Sequence, residues 1–196
     1  DGTTEDIEIE WTIDKKAVTV TANNQTIIFG SDIATGVNNA TLTGAANGHK
    51  LSSVTLVADS IAAGTHTITV SNAKIADSEN NDVTANYEIT YVTGTVTVSK
   101  KQIEKPTISV DTPEYNGEEQ RAEIEGFDPD IMDKENDTRI DAGTQDITVS
   151  LKDPDNYEWS DGTTDDIEIE WTIAKKAVTV TANDKAITYS EDIDKS

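Results

Sequence analysis

Twenty-three residues, DGTTEDIEIEWTIDKKAVTVTAN at 1–23, return almost unchanged at 161–183 as DGTTDDIEIEWTIAKKAVTVTAN. The copies lie 160 residues apart and differ only at Glu5/Asp165 and Asp14/Ala174. A repeat this faithful means that the chain is a phase of a modular array, in which each unit contacts its neighbours and little else. A weaker repeat lies inside the period. Ala63-Gly64-Thr65 and the strand after it match Ala142-Gly143-Thr144, and Asn86-Tyr87-Glu88 matches Asn156-Tyr157-Glu158. Lys-Lys punctuates the chain at 15–16, 100–101 and 175–176. The expected parse is a closing strand of a preceding module at 1–14, complete modules at 15–100 and 101–174, and the opening strands of the next module at 175–196.

Apolar and polar residues alternate with period two through most of these segments. Ile167, Ile169, Trp171 and Ile173 share one face, as do Val18 and Val20, Ile68 and Val70, and Val96 and Val98; this is the pattern of half-buried strands. Threonine and valine fill the runs, as β-branched residues suit a pleated surface. No 3.6-residue stripe emerges, and residues 131–137 make one helical turn at most. Asp161-Gly162 and Val92-Thr93-Gly94 read as the turns of a closing hairpin in each module. Short strands with regular turn signals predict an all-β chain of two tandem Ig-like β-sandwich modules, each of six or seven strands. Partial strands of neighbouring repeats flank them at both ends.

Charge and composition narrow the functions. Fifteen basic against 38 acidic residues leave a net charge of −23, which repels nucleic acid and anionic lipid. No run approaches the ~18 apolar residues of a membrane span, so no membrane insertion is expected of this stretch. Hydrophobic residues are 35% of the chain, which suits two small cores better than one large one. The absence of cysteine removes disulfides and thiolate chemistry and points toward a bacterial exported protein.

Lys-Lys-Ala-Val-Thr-Val-Thr-Ala-Asn from Lys15, Phe29-Gly30, Ala63-Gly64-Thr65, and the run from Asn86-Tyr87-Glu88 to Val98 together resemble the MBG family of bacterial immunoglobulin-like repeats. Residues 175–189 follow the same opening pattern, with Tyr189 in the place of Phe29. Residues 102–174 are similar to the Ig-like repeats that accompany this family, through Gly126-Phe127, Ala142-Gly143-Thr144 and Asp153-Pro154-Asp155-Asn156-Tyr157. Such repeats usually carry an aromatic after Ala-Gly-Thr, where this chain has His66 and Gln145. The resemblance implies an extracellular, cell-surface or secreted protein, no catalytic residues, and a structural role as a spacer or stalk that holds a binding head away from the envelope. The alternative is an adhesive module that binds glycan or host protein through its loops, multivalently along the array.

The residues themselves point to no enzyme. His49 reads as a loop residue and His66 as the opening of a strand, neither with a nucleophile and orienting acid in view. The acid pairs Asp128/Asp130, Asp153/Asp155 and Asp165/Asp166 read as turn chemistry. No catalytic, cofactor-binding or metal residue is assigned. The one ligand considered is a weak structural Ca²⁺ at the oxygen-rich stretch from Asp77 to Asp82, because hard cations take oxygen ligands. The spacing fails as an EF-hand, since Asp82 stands where glycine is needed. A Lys–Asn or Lys–Asp cross-link, as in some Gram-positive surface Ig-like modules, would draw on Lys15, Lys16, Lys100 or Lys101. Trp11 and Trp171 are expected in the core, and Trp159 is the one candidate for an exposed aromatic. The expected partners are neighbouring modules of the same array. Self-association end to end through the exposed terminal strands is also expected, because unpaired strand edges invite pairing.

Overall fold

The computed structural model describes residues 9–109, 112–184, 186, 188 and 189. The described chain is all-β, with helix confined to single 3₁₀ turns at Val37–Asn39 and Thr84–Asn86. Its contacts group it into two compact units. One is Asp1–Lys105 with Leu151–Asp165, and the other is Pro106–Ser150 with Asp166–Ser196. This grouping cuts across the boundary read from sequence at 100/101, because residues 157–159 pair with residues 101–103 in the first unit.

In the first unit the strands are β1 (Lys16–Ala22), β2 (Gln25–Ile28), β3 (Ala40–Thr43), β4 (Lys50–Ala58), β5 (Gly64–Ala76), β6 (Tyr87–Val92) and β7 (Gly94–Ser99). They form two sheets, ordered β3-β1-β6 and β2-β7-β5-β4. The alternation of KAVTVTA sends Val18, Val20 and Ala22 inward. Val20 and Ala22 meet Leu56, Ile68, Val70, Val96 and Val98 of the other sheet, which makes the unit a β-sandwich.

The turn at Val92-Thr93-Gly94 closes no hairpin, which corrects the sequence reading. β6 lies parallel to β1, whereas β7 lies parallel to β2 and antiparallel to β5. Two neighbouring runs, β1–β2 and β6–β7, therefore cross together from one sheet to the other, at Asn23-Asn24 and at Thr93. Gly94 permits the crossing, because a Cβ there would stand 2.5 Å from the Ala22 carbonyl oxygen. The Asn24 side chain secures it by accepting the Thr95 N–H at 2.9 Å.

Strand β5 runs alongside both halves of this path. Its 13 residues span about 40 Å. Gly64, at one end, faces Val98, and Ile75, at the other, packs with Val18 and Tyr87. The chain thus comes in at Lys16 and leaves at Ser99, at opposite ends of the unit. Asn72 adopts a left-handed φ of 51° beside register shifts between β4 and β5. This bulge resets the alternation, so Ile68 and Val70 before it and Ala73 and Ile75 after it all reach the core.

The remaining strands are β8 (Lys101–Ile103), β9 (Thr107–Ile108), β10 (Gln120–Arg121), β11 (Ile124–Glu125), β12 (Met132–Glu135), β13 (Thr138–Arg139), β14 (Gly143–Leu151), β15 (Tyr157–Trp159) and β16 (Ile167–Ile173). In the first unit, β8 pairs parallel with β15. In the second unit β14 lies between β12 and β16, and β9–β11 and β10–β13 form two short ladders. Its buried side chains include Ala122, Met132, Ile147, Val149, Trp171 and Ile173. Residues 132–135 are strand, not the helical turn allowed at 131–137, and Met132 is buried.

The weak internal repeat returns as repeated register. Lys16 faces Tyr87 in one parallel pair and Lys101 faces Tyr157 in the other. Gly64 faces Val98, and Gly143 faces Ile173. The Phe29 N–H donates to the Ser99 carbonyl, and the Tyr115 N–H to the Ala174 carbonyl, each at 2.9 Å. His66 and Gln145 also correspond: His66 Nε2 donates to the Ala62 carbonyl at 2.7 Å and Gln145 Nε2 to the Asn136 carbonyl at 2.6 Å.

The flanking segments behave differently from their copies. Residues 9–13 form no strand, and Trp11 is 76% exposed, contrary to the core position expected of it. Among 175–184, expected to open the next module, no strand forms. Residues 1–8, 185, 187 and 190–196 of the expected flanking strands lie outside the described residues. The Asp161-Gly162 turn also joins strands of different sheets, so the second expected hairpin is absent as well.

Candidate functional site

A sandwich that receives and releases its chain at opposite ends presents two end surfaces, and side-chain contacts gather at one of them around Lys100 and Asn156. There β7 ends and β8 begins, with Lys100 between them. The Lys100 Nζ donates at 2.7 Å to the Pro154 carbonyl. The Ala63 N–H, just ahead of β5, donates at 2.7 Å to Asn156 Oδ1, while Asn156 Nδ2 donates to Asp153 Oδ2 at 2.8 Å. Both ends of the Asn156 amide are used, so the side chain bridges the 153–157 turn to the sandwich. Phe29 stands at the second position of a turn closed by the Ser31 N–H on the Ile28 carbonyl at 3.0 Å. Gly30 follows with φ 88°, as the third position of a type II turn requires. The Tyr157 ring meets Phe29 edge-on, with centroids 5.3 Å apart and planes at 81°, a favoured aromatic geometry.

The opposite end carries the register equivalent, Tyr87, in a different setting. Its hydroxyl accepts the Ala46 N–H at 3.1 Å and shares a hydrogen bond with His49 Nδ1 at 2.6 Å. The two rings meet edge-on at 5.9 Å. A hollow of about 530 Å³ opens beside them, lined by Ile13, Lys16, Ala46, His49, Asn86 and Tyr87 among others.

This arrangement of strands, turns and paired lysines can be set against known families. Residues 18–97 match the MBG domain, YGX type. The MBG match runs from Val18, the first buried residue of β1, to Thr97 in β7, so it covers the sandwich strands and stops before the Lys100 clasp. MBG domains are repeat modules of surface or secreted proteins. No curated protein matches the chain. Among the described residues, no helix is long and apolar enough to cross a membrane.

The other sequence candidates resolve as follows. In the acidic stretch, Asp77 Oδ1 accepts the N–H groups of Glu79 and Asn81, each at 2.9 Å, and Asp77 Oδ2 accepts Asn81 Nδ2 at 3.0 Å. The Asn81 side chain foremost holds the Asp77 carboxyl below its ordinary range. Asp82 accepts the Thr84 N–H at 2.9 Å and pairs with Lys74 at 3.2 Å. Hydrogen bonds from Thr84, then Lys74, lower its pKa to about 2. These carboxylates thus fold a turn at the end of β5. Among the described residues, no three His, Cys, Asp or Glu side chains converge on a metal position.

Of the acid pairs, Asp128 and Asp153 cap turns through their carboxylates, while Asp165 acts through its main chain. Asp128 Oδ1 accepts the Asp130 N–H at 2.9 Å, and the Asp165 carbonyl accepts Trp159 Nε1 at 2.8 Å. That last bond accompanies a correction: Trp159, expected to be exposed, is fully buried. Asp161 is held well below the usual carboxylate range, first by Lys105 at 2.6 Å and then by Thr163. Lys15, Lys16 and Lys101 are exposed, and Lys100 reaches a backbone carbonyl, so none has the buried setting that a cross-linking lysine needs. Sequence reasoning did not find the Phe29–Tyr157–Asn156 contact, although the repeated Asn-Tyr at 86–87 and 156–157 was its visible trace.

Proposed function

We propose that this chain is a spacer segment of a repetitive bacterial surface protein, acting outside the cell and without catalytic chemistry, to hold a binding head away from the envelope. In this reading 15–100 and 101–174 are successive Ig-like modules, and 1–14 and 175–196 belong to their neighbours. The observation that carries it is the clasp at Lys100, Ala63, Phe29, Asn156 and Tyr157. One lysine after β7 ends, β8 begins, with no Gly/Ser hinge to absorb bending. The repeated registers support the same reading, because each proposed module opens and closes in the same way.

Small-angle scattering on the full chain tests the proposal. The maximum dimension should be unchanged by chelator. It should broaden into a distribution when Asn156→Ala and Tyr157→Ala are combined. A distribution already broad in the unmodified chain would defeat the spacer reading. The adhesive alternative draws on one surface, an open hollow beside β4 where Val57 and Ile61 are exposed. Glycan-array or matrix-protein binding that is lost in Val57→Asp would favour it.

A further inference from the structure

Strand β4 ends the four-stranded sheet, so one of its sides has no ladder. Its pairing with β5 fixes which backbone groups face that side. The Asp59 N–H donates to the Thr67 carbonyl at 3.0 Å, and two residues back Val57 faces Thr69. Antiparallel hydrogen-bonded pairs recur at every second residue, so Leu56 and Ala58 turn their N–H and C=O groups to the open side. Exposed edges are ordinarily guarded by charges or bulges. Register shifts guard the stretch from Leu51 to Thr55, but the register is regular from Thr55 to Ala58. No charge stands anywhere in 51–58, LSSVTLVA. Beside this edge lies the hollow of about 550 Å³, shared between β4 and residues 32–35. Ile33, Leu56, Ala58 and Ile61 give it an apolar lining, and no β5 residue lines it. The 32–35 wall is held in place. Gln25 Nε2 donates to the Ala34 carbonyl at 2.9 Å, Gln25 Oε1 accepts the Ala34 N–H at 2.7 Å, and Asn39 Nδ2 donates to the Thr35 carbonyl at 2.8 Å.

We propose that this edge and its hollow bind an extended cationic peptide segment, which joins the sheet as a strand beside β4. Its backbone bonds to Leu56 and Ala58, the mode of strand addition. Segment residues opposite these two share their inner face, so every second side chain of the segment is apolar and enters the hollow. Charge selects the rest of the segment. Asp32 is the charged residue of the lining, neither lysine nor arginine joins it, and the chain as a whole carries −23. A second copy of the chain brings the same negative charge and is repelled, whereas a basic segment is drawn in. The inference rests on the adhesive reading of this hollow and names a protein segment, rather than a glycan, as its ligand.

The test titrates a capped, fluorescent peptide of alternating valine and lysine into the full chain at low salt, followed by anisotropy. Hydrogen exchange should show the Leu56 and Ala58 amides becoming protected as the peptide binds, with Val57, already bonded to β5, unchanged. Asp32→Lys should weaken binding roughly fivefold, the scale of an exposed ion pair, and added salt should weaken it in the unmodified chain. Methylating the valine amides of the peptide removes the N–H groups that face β4 and should weaken binding by about tenfold or more. Methylating the lysine amides, which face away, should be tolerated. These peptides leave the protein unaltered, so its folding does not enter. Equal affinity of the two methylated peptides, or binding without protection of Leu56 and Ala58, would overturn the added strand. Equal affinity of a peptide with glutamate in place of lysine would overturn the cationic ligand. Leu56 and Ala58 amides that grow protected with concentration in the peptide-free chain would give the edge to a second copy and overturn the proposal too. Glycan binding that is lost in Val57→Asp, with no uptake of the valine–lysine peptide, would overturn this inference while leaving the adhesive reading in place.

Discussion

Trp11 and Trp171 sit in the same heptapeptide, yet one is 76% exposed and the other 3%. Val20 and Val180 sit in the same KKAVTVTAN, yet Val180 is 91% exposed and Val20 fully buried. Within one chain, then, the repeat supplies its own control. Local sequence, alternation and β-propensity are constant between copies, and only the neighbouring strands differ. β16 has β14 beside it; β1 has β3 and β6. Ordering a residue costs about 1–2 kcal/mol in backbone entropy, and a strand offsets that only where its apolar face leaves water and its ladder finds a partner. Propensity in these segments permits a strand, while the seat makes one.

Substitutions at matched positions should sharpen that contrast. The largest difference is expected for tryptophan. Trp171→Ala should destabilise the second unit by about 3–5 kcal/mol through lost burial and a residual cavity, whereas Trp11→Ala should stay within about 0.5 kcal/mol, as at other exposed sites. Denaturant unfolding of the two variants side by side measures both. Next, Val20→Ala should cost the first unit about 2 kcal/mol while Val180→Ala leaves its midpoint in place; equal effects would break the comparison.

A smaller effect separates the two tyrosine ends. Asn156→Ala should cost about 1 kcal/mol, because it removes the acceptor of the Ala63 N–H. Thermal unfolding of the first unit reads that out. The smallest effect concerns the acidic turn that closes β5. Asp82 has its carboxyl lowered from 3.8 to about 2 in the folded chain. Its stabilisation is therefore complete above pH 3.8 and disappears as pH falls toward 2. Asp82→Asn should flatten the stability profile of the first unit in that window and leave it unchanged in shape near neutrality.

Much of this architecture was legible because alternation is a strong signal. Val18/Val20, Ile68/Val70, Val96/Val98 and Ile147/Val149 lie on core faces as their spacing implies, and the MBG pattern was readable in residues 15–101. What periodicity cannot carry is the partner of each strand. Both expected hairpins failed for that reason: Thr93 and Asp161-Gly162 look like ordinary turns, but each sends the chain to another sheet. The misplacement of Trp159 follows from the same error, since a hairpin would leave its face open, whereas pairing with β8 encloses it. Trp11 was misplaced because its sequence was judged without asking what lay beside it. The clasp was hidden for a different reason, since an Asn amide bridging to a backbone N–H 93 residues away leaves no local pattern.

The parallel crossing of β1–β2 and β6–β7 has a mechanical consequence. Tension applied between Lys16 and Ser99 draws these two neighbouring runs in opposite directions along their length. The rungs of both parallel ladders, from Lys16–Tyr87 to Thr21–Val92 and from Gln25–Val96 to Ile28–Ser99, then carry the load side by side. They would have to yield together rather than peel open one after another, so a pull between these two points loads the ladders in shear.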